Sequence, residues 1–240
     1  MKQLLYLSLK SPCPYTTSSK IQESWVHRFL LNKQYPDTYI KPPALLLVAQ
    51  FYPTYTCGRR ENNSICPSDI KYLETNPTAI FIKTLRGGQI TFHGPGQIVG
   101  YPILDLKDFK ITPKEYVNRL ESSIISTCKV FGIAAMRTEH TGFTSVWTSP
   151  IRKIASIGIH LRRHITSHGI ALNVSTDLSY FKKIIACGLK GKEMTSFERE
   201  GVYVPLEIVE SCWIKNLANQ LGCTINRINP EQIGDILLNQ

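Results

Sequence analysis

Cys187 is the residue whose surroundings best suit nucleophilic chemistry. It precedes Gly188 in a predicted loop, which leaves its sulfur sterically open. Eight basic residues and a single acid, Asp177, lie between Arg152 and Lys192. Positive neighbours stabilise the thiolate, which is the nucleophilic form of cysteine. A free, semi-buried cysteine in a basic surface loop would give the same pattern. The local sequence alone favours this second interpretation, in which Cys187 has no catalytic role.

Lys153 is the second candidate. It begins an apolar strand on the same alternation as Ala155 and Ile157, so the pattern predicts that its side chain points inward. A partly buried lysine is unusual and is commonly paired. A lysine at a strand end that reaches back to solvent is the alternative. His168 and Asn173 follow on the next predicted strand, where one satisfied core histidine would account for His168.

A glycine-rich stretch reads RGGQITFHGPGQIVGYP over residues 86–102 and holds five of the fifteen glycines of the chain. Glycine within a strand pattern marks a bulge or a place where backbone approaches a ligand closely. A hairpin-rich sheet with tight turns would explain any one of these glycines. Their clustering beside Arg86, His93 and Gln97 instead predicts a wall that lines a ligand.

Several kinds of site are absent from the sequence. It holds no GxxxxGK[ST] phosphate loop, no H-E-x-x-H and no C-x-x-C pair, and its histidines are scattered without metal-ligand spacing. We therefore expect no metal and no cofactor. Seven cysteines at irregular spacing do not form a disulfide framework and indicate a reducing compartment.

The periodic segments predict one mixed α and β domain. Strands are expected at 4–7, 45–49 and twice within 153–174, where Ala155, Ile157, Ile159 and Leu161 share one face. Helices are expected at 16–35, at 113–131 behind a Thr112 and Glu115 capping box, and at 205–221. We expect residues 1–240 to form a single catalytic domain with its core at about 4–225 and a peripheral tail at 226–240.

The charge predicts an acidic partner. The chain of 240 residues carries a formal charge of +10, which suits nucleic acid, a membrane surface or an acidic protein. No apolar run approaches the roughly 20 residues that a membrane-spanning helix needs.

Several motifs together resemble one known family. RGGQITFHGPGQ (86–97), KIASIGIHLRRHITSHGIALNV (153–174) and ACG followed by TS (186–188 and 195–196) are similar to the lipoyl(octanoyl) transferases, and so are YTCGRR (55–60) and TGFTSVW (141–147). The resemblance spans roughly residues 4–225. One departure is Ala186, where the family usually has proline before the cysteine.

The resemblance implies a fold and a reaction. The fold would be similar to the catalytic domain of biotin and lipoate protein ligases, an α/β fold whose mixed sheet is flanked by helices. The reaction would move an octanoyl (or lipoyl) group from acyl carrier protein to a lysine of a lipoyl domain, as the first step of endogenous protein lipoylation. A thioester is reactive enough for this without ATP, which agrees with the missing phosphate loop.

The resemblance also implies residue roles. Cys187 matches the nucleophile that carries the acyl thioester, and Lys153 matches the lysine that lowers its pKa. The residues implied to line the acyl chain are Arg86, Gly87, Gly88, Gln89, Ile90, Thr91, Phe92, His93, Ser156, Ile157, Gly158, Gly169, Ile170 and Ala171.

The implied partners are octanoyl-acyl carrier protein, the lipoyl domains of the E2 subunits of 2-oxoacid dehydrogenase complexes, and the glycine cleavage H protein. No nucleic acid and no membrane span are expected. The residues of the TGFTSVW and ITSHGIALN segments resemble those of eukaryotic members more closely. This resemblance implies a mitochondrial protein, with the cytoplasm as the alternative if the protein is bacterial.

Two other functions remain open. An ATP-dependent lipoate or biotin ligase could use the same fold, and it would form an adenylate and would not need Cys187. A basic nucleic-acid-binding module is the more distant alternative; it would need neither Lys153 nor Cys187 and would bind with a steep salt dependence.

Overall fold

A mixed sheet forms the centre of the computed structural model, which describes residues 2–9, 12–62, 64–75, 79–138, 144–184 and 191–233. Its strand order is β12-β1-β2-β6-β10-β9-β8-β7, with the short β11 added parallel to β9. β1 runs parallel to both β12 and β2, and the remaining neighbours along this order are antiparallel. The strands are β1 Lys2–Ser8, β2 Ala44–Ala49, β6 Gln97–Ile103, β7 Met136–Arg137, β8 Ser145–Trp147, β9 Arg152–Arg162, β10 Ile165–Asn173, β11 Glu193–Met194 and β12 Cys223–Arg227.

Helices cover both faces of this sheet. The helices are α1 Tyr15–Gln34, α2 Pro67–Leu73, α3 Leu106–Phe109, α4 Pro113–Val130 and α5 Leu206–Leu221. α4 and α5 pack on one face around a core that includes Trp213, and α1 packs on the other face through Trp25 and Phe29. A Cβ added at Gly100 would lie 2.1 Å from the Trp213 ring, so glycine in β6 is what lets α5 approach the sheet.

A second, small sheet has the order β4-β3-β5. Its strands are β3 Thr54–Cys57, β4 Ile80–Lys83 and β5 Thr91–His93. A 3-10 helix, Leu178–Lys183, packs against it, and Phe92 of β5 stacks on Tyr180 with ring centroids 4.2 Å apart. The turn between β4 and β5 carries the start of the glycine-rich stretch.

Local signals in the sequence predict the helices well. The capping box of α4 is present: Glu115 N donates to Thr112 Oγ1 (3.2 Å) and Thr112 N donates to Glu115 Oε2 (2.6 Å). α5 ends at Gly222, whose φ of 65° is left-handed. The mixed sheet flanked by helices is confirmed.

Three features of the fold differ from the sequence pattern. α1, expected at 16–35, begins at Tyr15 after Pro14 and has no side-chain cap. The short α2 was not predicted. At the start of the segment expected to be a peripheral tail, β12 continues to Arg227 and pairs with β1, and Ile228 and Ile233 are buried. Residues 234–240 lie outside the described part.

Candidate active site

A cavity opens on the same face of the main sheet as α1. It lies between β9, β10 and the turn that joins β4 to β5, and it has a volume of about 60 Å³. Its lining residues are Arg86, Gly87, Gly88, Gln89, Ile90, Thr91, His93, Tyr101, Thr144, Lys153, Ser156, Ile157, Gly158, Gly169, Ile170 and Ala171.

The turn at 84–90 is held in place from two sides by backbone hydrogen bonds. Gly87 N donates to Ile159 O of β9 (2.9 Å), and Arg59 N donates to Arg86 O (3.0 Å). The first bond ties the turn to the main sheet, and the second ties it to the loop that follows β3. The cavity wall therefore bridges the two sheets.

Gly58 allows this close approach. A Cβ at Gly58 would lie 2.3 Å from Gly88 O, a distance that no side chain tolerates. Gly88 itself has a φ of 84°, in the left-handed region that favours glycine. The glycines of the segment CGRR and of the segment RGG are thus required by one shared contact between two loops.

The Arg86 side chain forms part of the cavity floor. It is buried, and its Nη2 donates to Thr56 O (2.6 Å) and to Thr56 Oγ1 (2.9 Å), while Nη1 donates to Gly87 O (3.0 Å). A Cβ at Gly158 would lie 3.2 Å from Arg86 Cδ. Glycine in β9 therefore makes room for the arginine stem beside the cavity.

The main-chain pairing of β9 explains where Lys153 points. Val146 of β8 lies opposite Ala155, and the next residue, Trp147, lies opposite Lys153. Ile154 is therefore an extra residue, a β-bulge, which shifts the alternation of side chains by one.

The bulge places Lys153 in the cavity. Ala155 belongs to the core under α4 and α5, and Ile157 borders both that core and the cavity, whereas Lys153 lines the cavity together with Ser156. The expectation that Lys153 shares a face with Ala155 and Ile157 is wrong, although its side chain does point inward and is only 3% exposed. Thr195 N donates to Lys153 O (2.8 Å), which fixes the backbone at this position.

His93 is a buried, neutral group in the cavity wall. Its Nδ1 lies 2.8 Å from Gln97 Oε1. Burial, followed by the nearby positive charge of Arg86, lowers the pKa of His93 to about 3. The ring therefore carries one proton throughout the neutral pH range.

Comparison with known proteins assigns the family. Residues 20–218 match the family model of the lipoyl protein ligase A/B catalytic domain. The chain is 47% identical over 218 residues to a probable octanoyltransferase of Schizosaccharomyces pombe, covering 90% of this chain and 95% of the relative. The chain belongs to the lipoyl protein ligase A/B catalytic-domain family.

A second family member and two solved structures are also similar. A mitochondrial octanoyl-[acyl-carrier-protein]:protein N-octanoyltransferase of Danio rerio is 42% identical over 212 residues, 88% of this chain and 89% of the relative. A putative lipoate protein ligase of Thermoplasma acidophilum shares the fold with a TM-score of 0.69 at 13% identity, covering 99% and 93% of the two chains. A biotin protein ligase of Aquifex aeolicus does so with a TM-score of 0.52 at 14% identity, covering 90% and 70%.

The structure of this ligase-family domain brings together most of the residues that the sequence resemblance assigned to the acyl site. Thirteen of the fourteen line the one cavity, together with Lys153. The exception is Phe92, whose ring packs away from it against Tyr180 and Phe181. Gly94 does not line the cavity either; a Cβ there would lie 2.6 Å from the Phe92 ring. Cys187 and Ala186 lie outside the described residues.

Sequence reasoning missed two residues that line the cavity, Tyr101 and Thr144. Tyr101 follows Gln97 by four residues on β6, so strict alternation along that strand places both on one face. Thr144 lies directly before β8, within the segment TGFTSVW (141–147) that carries part of the family resemblance.

His168 is not the satisfied core histidine that the sequence suggested. It adopts a φ of 56° within β10, and its backbone N–H donates to Gln22 Oε1 (2.8 Å). Its ring meets Tyr101 edge-on at 5.6 Å, and its buried Nδ1 has no hydrogen-bond partner within the described ranges. Burial lowers the pKa of His168 to about 3, and the charge of Arg86 adds to this.

Over the described residues, no group of three or more His, Cys, Asp or Glu side chains is arranged to hold a metal ion. None of the helices found there is long and apolar enough to cross a membrane.

Proposed function

We propose that this protein is an octanoyltransferase that moves an octanoyl (or lipoyl) group from acyl carrier protein, through a thioester on Cys187, to a lysine of a lipoyl domain. The observation that carries the proposal is the cavity, in which the glycine turn at 86–88, Ser156 to Gly158 and Gly169 to Ala171 meet around a buried Lys153. The similarity to relatives named octanoyltransferase supports the same acyl-transfer chemistry.

The reaction has two steps of the same kind. In the first, the Cys187 thiolate attacks the carbonyl carbon of the carrier thioester, a new C–S bond forms, and the carrier thiol leaves. In the second, a lysine amine attacks the enzyme thioester, an amide forms, and the Cys187 sulfur leaves and regains a proton. Covalent relay replaces one difficult transfer with two easier ones.

Lys153 supplies positive charge to this cavity. An ammonium group near a thiol favours the thiolate, and it can return a proton to a departing thiolate. Because the bulge at Ile154 turns Lys153 into the cavity, its charge acts at the same place as the glycine-lined wall. The placement supports the proposed role of Lys153 in acyl transfer.

Intact mass spectrometry tests the proposal. Incubation with octanoyl-acyl carrier protein should add the mass of one octanoyl group, the adduct should map to Cys187, and a lipoyl domain should then discharge it. Failure to form an adduct with any carrier-bound acyl group would refute the proposed reaction. Octanoic acid with ATP is the parallel arm, and an adenylate formed there would identify a ligase instead.

We also propose that the protein works in mitochondria, since relatives with mitochondrial names include the Danio rerio protein. Bacterial octanoyltransferases are similar too, for example that of Koribacter versatilis at 42% identity over 192 residues. Fractionation of the source cells with an antibody to the protein checks this; recovery only in the cytosolic fraction would exclude it.

The proposed partners are the octanoyl-loaded carrier protein and lipoyl domains, those of E2 subunits and of the glycine cleavage H protein. The net charge of +10 supports this choice, because it would attract domains with acidic surfaces. Transfer assays with each purified lipoyl domain as acceptor test the choice, and a protein that acylates none of them would need a different acceptor.

A further inference from the structure

The His93 ring makes one hydrogen bond among the described residues, and its second ring nitrogen is buried without a partner there. Its side chain is almost fully buried, at 3% exposure, and lines the cavity. Nδ1 lies 2.8 Å from Gln97 Oε1, while the buried Nε2 has no hydrogen-bond partner among the described residues. Which ring nitrogen carries the proton decides what Nε2 can do.

A relay of buried amides settles the tautomer. Gln97 Nε2 donates to Phe92 O (3.1 Å) and to Asn173 Oδ1 (2.9 Å), so Gln97 Oε1 is the atom that faces His93. Asn173 is oriented in turn, since its Nδ2 donates to Thr195 O (2.9 Å). An amide oxygen only accepts hydrogen bonds, so His93 Nδ1 must carry the proton.

His93 Nε2 is therefore an unprotonated acceptor. The ring does not take up a second proton near neutral pH, because burial and the charge of Arg86 hold the pKa of His93 at about 3. A buried acceptor without a donor costs free energy. A substrate group that reaches Nε2 is therefore favoured when it brings a hydrogen-bond donor.

The charges around Nε2 restrict which donor it meets. Arg86 and Lys153 both line the cavity, and two cations disfavour a third. An entering lysine is therefore favoured as the neutral amine, which is also the nucleophilic form and still has two N–H groups. An octanoyl chain and a thioester carry no donor, so the acyl group itself leaves Nε2 unsatisfied.

On the proposed function, we infer that His93 Nε2 accepts a hydrogen bond from the ε-amino group of the acceptor lysine and orients it for attack, with Gln97 and Asn173 as positioning residues that fix the tautomer. The new N–C bond forms as the C–S bond breaks, and the proton lost by the nitrogen ends on the departing sulfur. His93 holds the other N–H and is not the base.

The tautomer is tested on the wild-type protein. With ¹⁵N-labelled histidine, the nitrogen shifts of His93 should show a protonated Nδ1 and an unprotonated Nε2 at pH 7. In Asn173→Ala, the side-chain amide of Gln97 can flip by 180°, and a fraction of the molecules should then carry the other tautomer of His93. A protonated Nε2 in the wild type overturns the inference whatever the enzyme turns out to transfer.

The role is tested by separating the two half-reactions. His93→Phe keeps a ring beside Tyr15 but removes the acceptor, whereas His93→Gln offers an amide oxygen near the position of Nε2. For His93→Phe, we expect discharge of the octanoyl-enzyme to a lipoyl domain to slow about tenfold more than its formation, as one lost hydrogen bond implies. His93→Gln should recover part of that difference, and it serves as the main variant if His93→Phe does not fold.

The acyl carrier protein also has amide N–H groups that could reach His93 Nε2 during formation of the octanoyl-enzyme. The rate of formation is therefore the reference against which the rate of discharge is compared. Equal slowing of formation and discharge, or no slowing of either, overturns the inference while leaving the proposed function intact. A wild-type protein that forms no octanoyl-enzyme refutes the proposed function instead.

Discussion

Lys153 and Ser156 lie three residues apart on β9 and nevertheless line the same cavity. In a regular strand, residues three apart point to opposite faces. The extra residue Ile154, unmatched opposite Val146 and Trp147, removes that difference. Without the bulge, the Lys153 ammonium would point into the apolar core under α4 and α5, where an unpaired charge is very costly.

The charge of Lys153 is tested by Lys153→Met, which keeps the aliphatic stem and removes the ammonium. We expect the alkylation pKa of Cys187 to rise by about one unit, since a lost positive neighbour favours the thiol over the thiolate. The rate of octanoyl-enzyme formation at pH 7 should fall about tenfold with it. Lys192→Met is the matched control from the same basic stretch. An unchanged alkylation profile would end this account of Lys153.

The thioester is tested by Cys187→Ser, which should abolish the octanoyl adduct because an alkoxide nucleophile is not available at neutral pH. Cys66→Ser is the control: Cys66 is exposed and precedes α2, a position where serine is a good N-cap. Peptide mapping of the adduct in the wild type and the control decides the matter. An adduct on any other cysteine would exclude Cys187 as the nucleophile.

Gly87 offers a clean test of the cavity wall. A Cβ there would meet only Ile159 O, at 3.4 Å, whereas Gly88 has a left-handed φ that strains any replacement. Gly87→Val should therefore fold and narrow the cavity, and it should slow acylation by octanoyl-carrier more than by butanoyl-carrier. Gly87→Ala, which adds only the Cβ at the same position, is the graded control and should have a smaller effect. Equal effects on both chain lengths would place the acyl chain elsewhere.

The sequence predicted those parts of the fold that depend on neighbouring residues. The Thr112 and Glu115 box starts α4, and the alternation of Ala155 to Leu161 marks the core face of β9. The direction of Lys153 could not be predicted, because the bulge is defined by the partner strand β8. The same holds for β12, whose only reason to be a strand is its parallel pairing with β1 at the far end of the chain.

The candidate site divides in the same way. Gly87 and Gly88 can be predicted as wall residues, because neighbouring glycines indicate a close approach of the backbone to another group. The need for glycine at position 58 cannot be predicted locally, because it arises from a contact with Gly88 in another loop. Tyr101 could have been inferred from the alternation of β6, which places it on the same face as Gln97. Phe92 was misplaced because β5 alternates, which sends its ring to the core of the small sheet while His93 turns to the cavity.

Buried neutral histidines make the fold sensitive to acid. The pKa values of His93 and His168 are about 3, against an ordinary value near 6.5. Below about pH 6.5 the two histidines become protonated in the unfolded chain but stay neutral in the folded protein. The free energy of unfolding is therefore highest above that pH and falls as the pH is lowered towards 3. Each histidine should lower the free energy of unfolding by about 2 kcal/mol between pH 7 and pH 5.

Urea unfolding at pH 7, 6 and 5 measures this effect. His93→Phe should lose about half of the pH dependence that the two histidines cause, whereas His27→Gln, at an exposed position of α1, should keep all of it. Parallel curves for the wild type and His93→Phe would show that the pKa of His93 in the folded protein is close to its value in the unfolded chain.

The last prediction concerns the use of the positive charge. If it steers acidic carrier and lipoyl domains, the second-order rate of acylation should fall as salt rises through physiological strength, where the Debye length is about 8 Å. Arg162 is a poor residue for charge reversal, because it already pairs with both carboxylate oxygens of Glu23 at 3.0 Å. A glutamate there would repel Glu23 and replace this ion pair between β9 and α1 with two like charges.

Lys182 is the better choice for the variant. It is exposed on the 3-10 helix five residues before Cys187, and Lys215 is equally exposed on α5 behind the main sheet. Lys182→Glu and Lys215→Glu change the net charge by the same amount. Comparing their acylation rates therefore separates attraction by charges near Cys187 from attraction by the net charge of the protein. We expect Lys182→Glu to lower the rate at low salt and to flatten its salt dependence, with a smaller effect of Lys215→Glu. Equal effects would assign steering to the net charge, and a salt-independent wild-type rate would mean that the charge of +10 does not steer these partners at all.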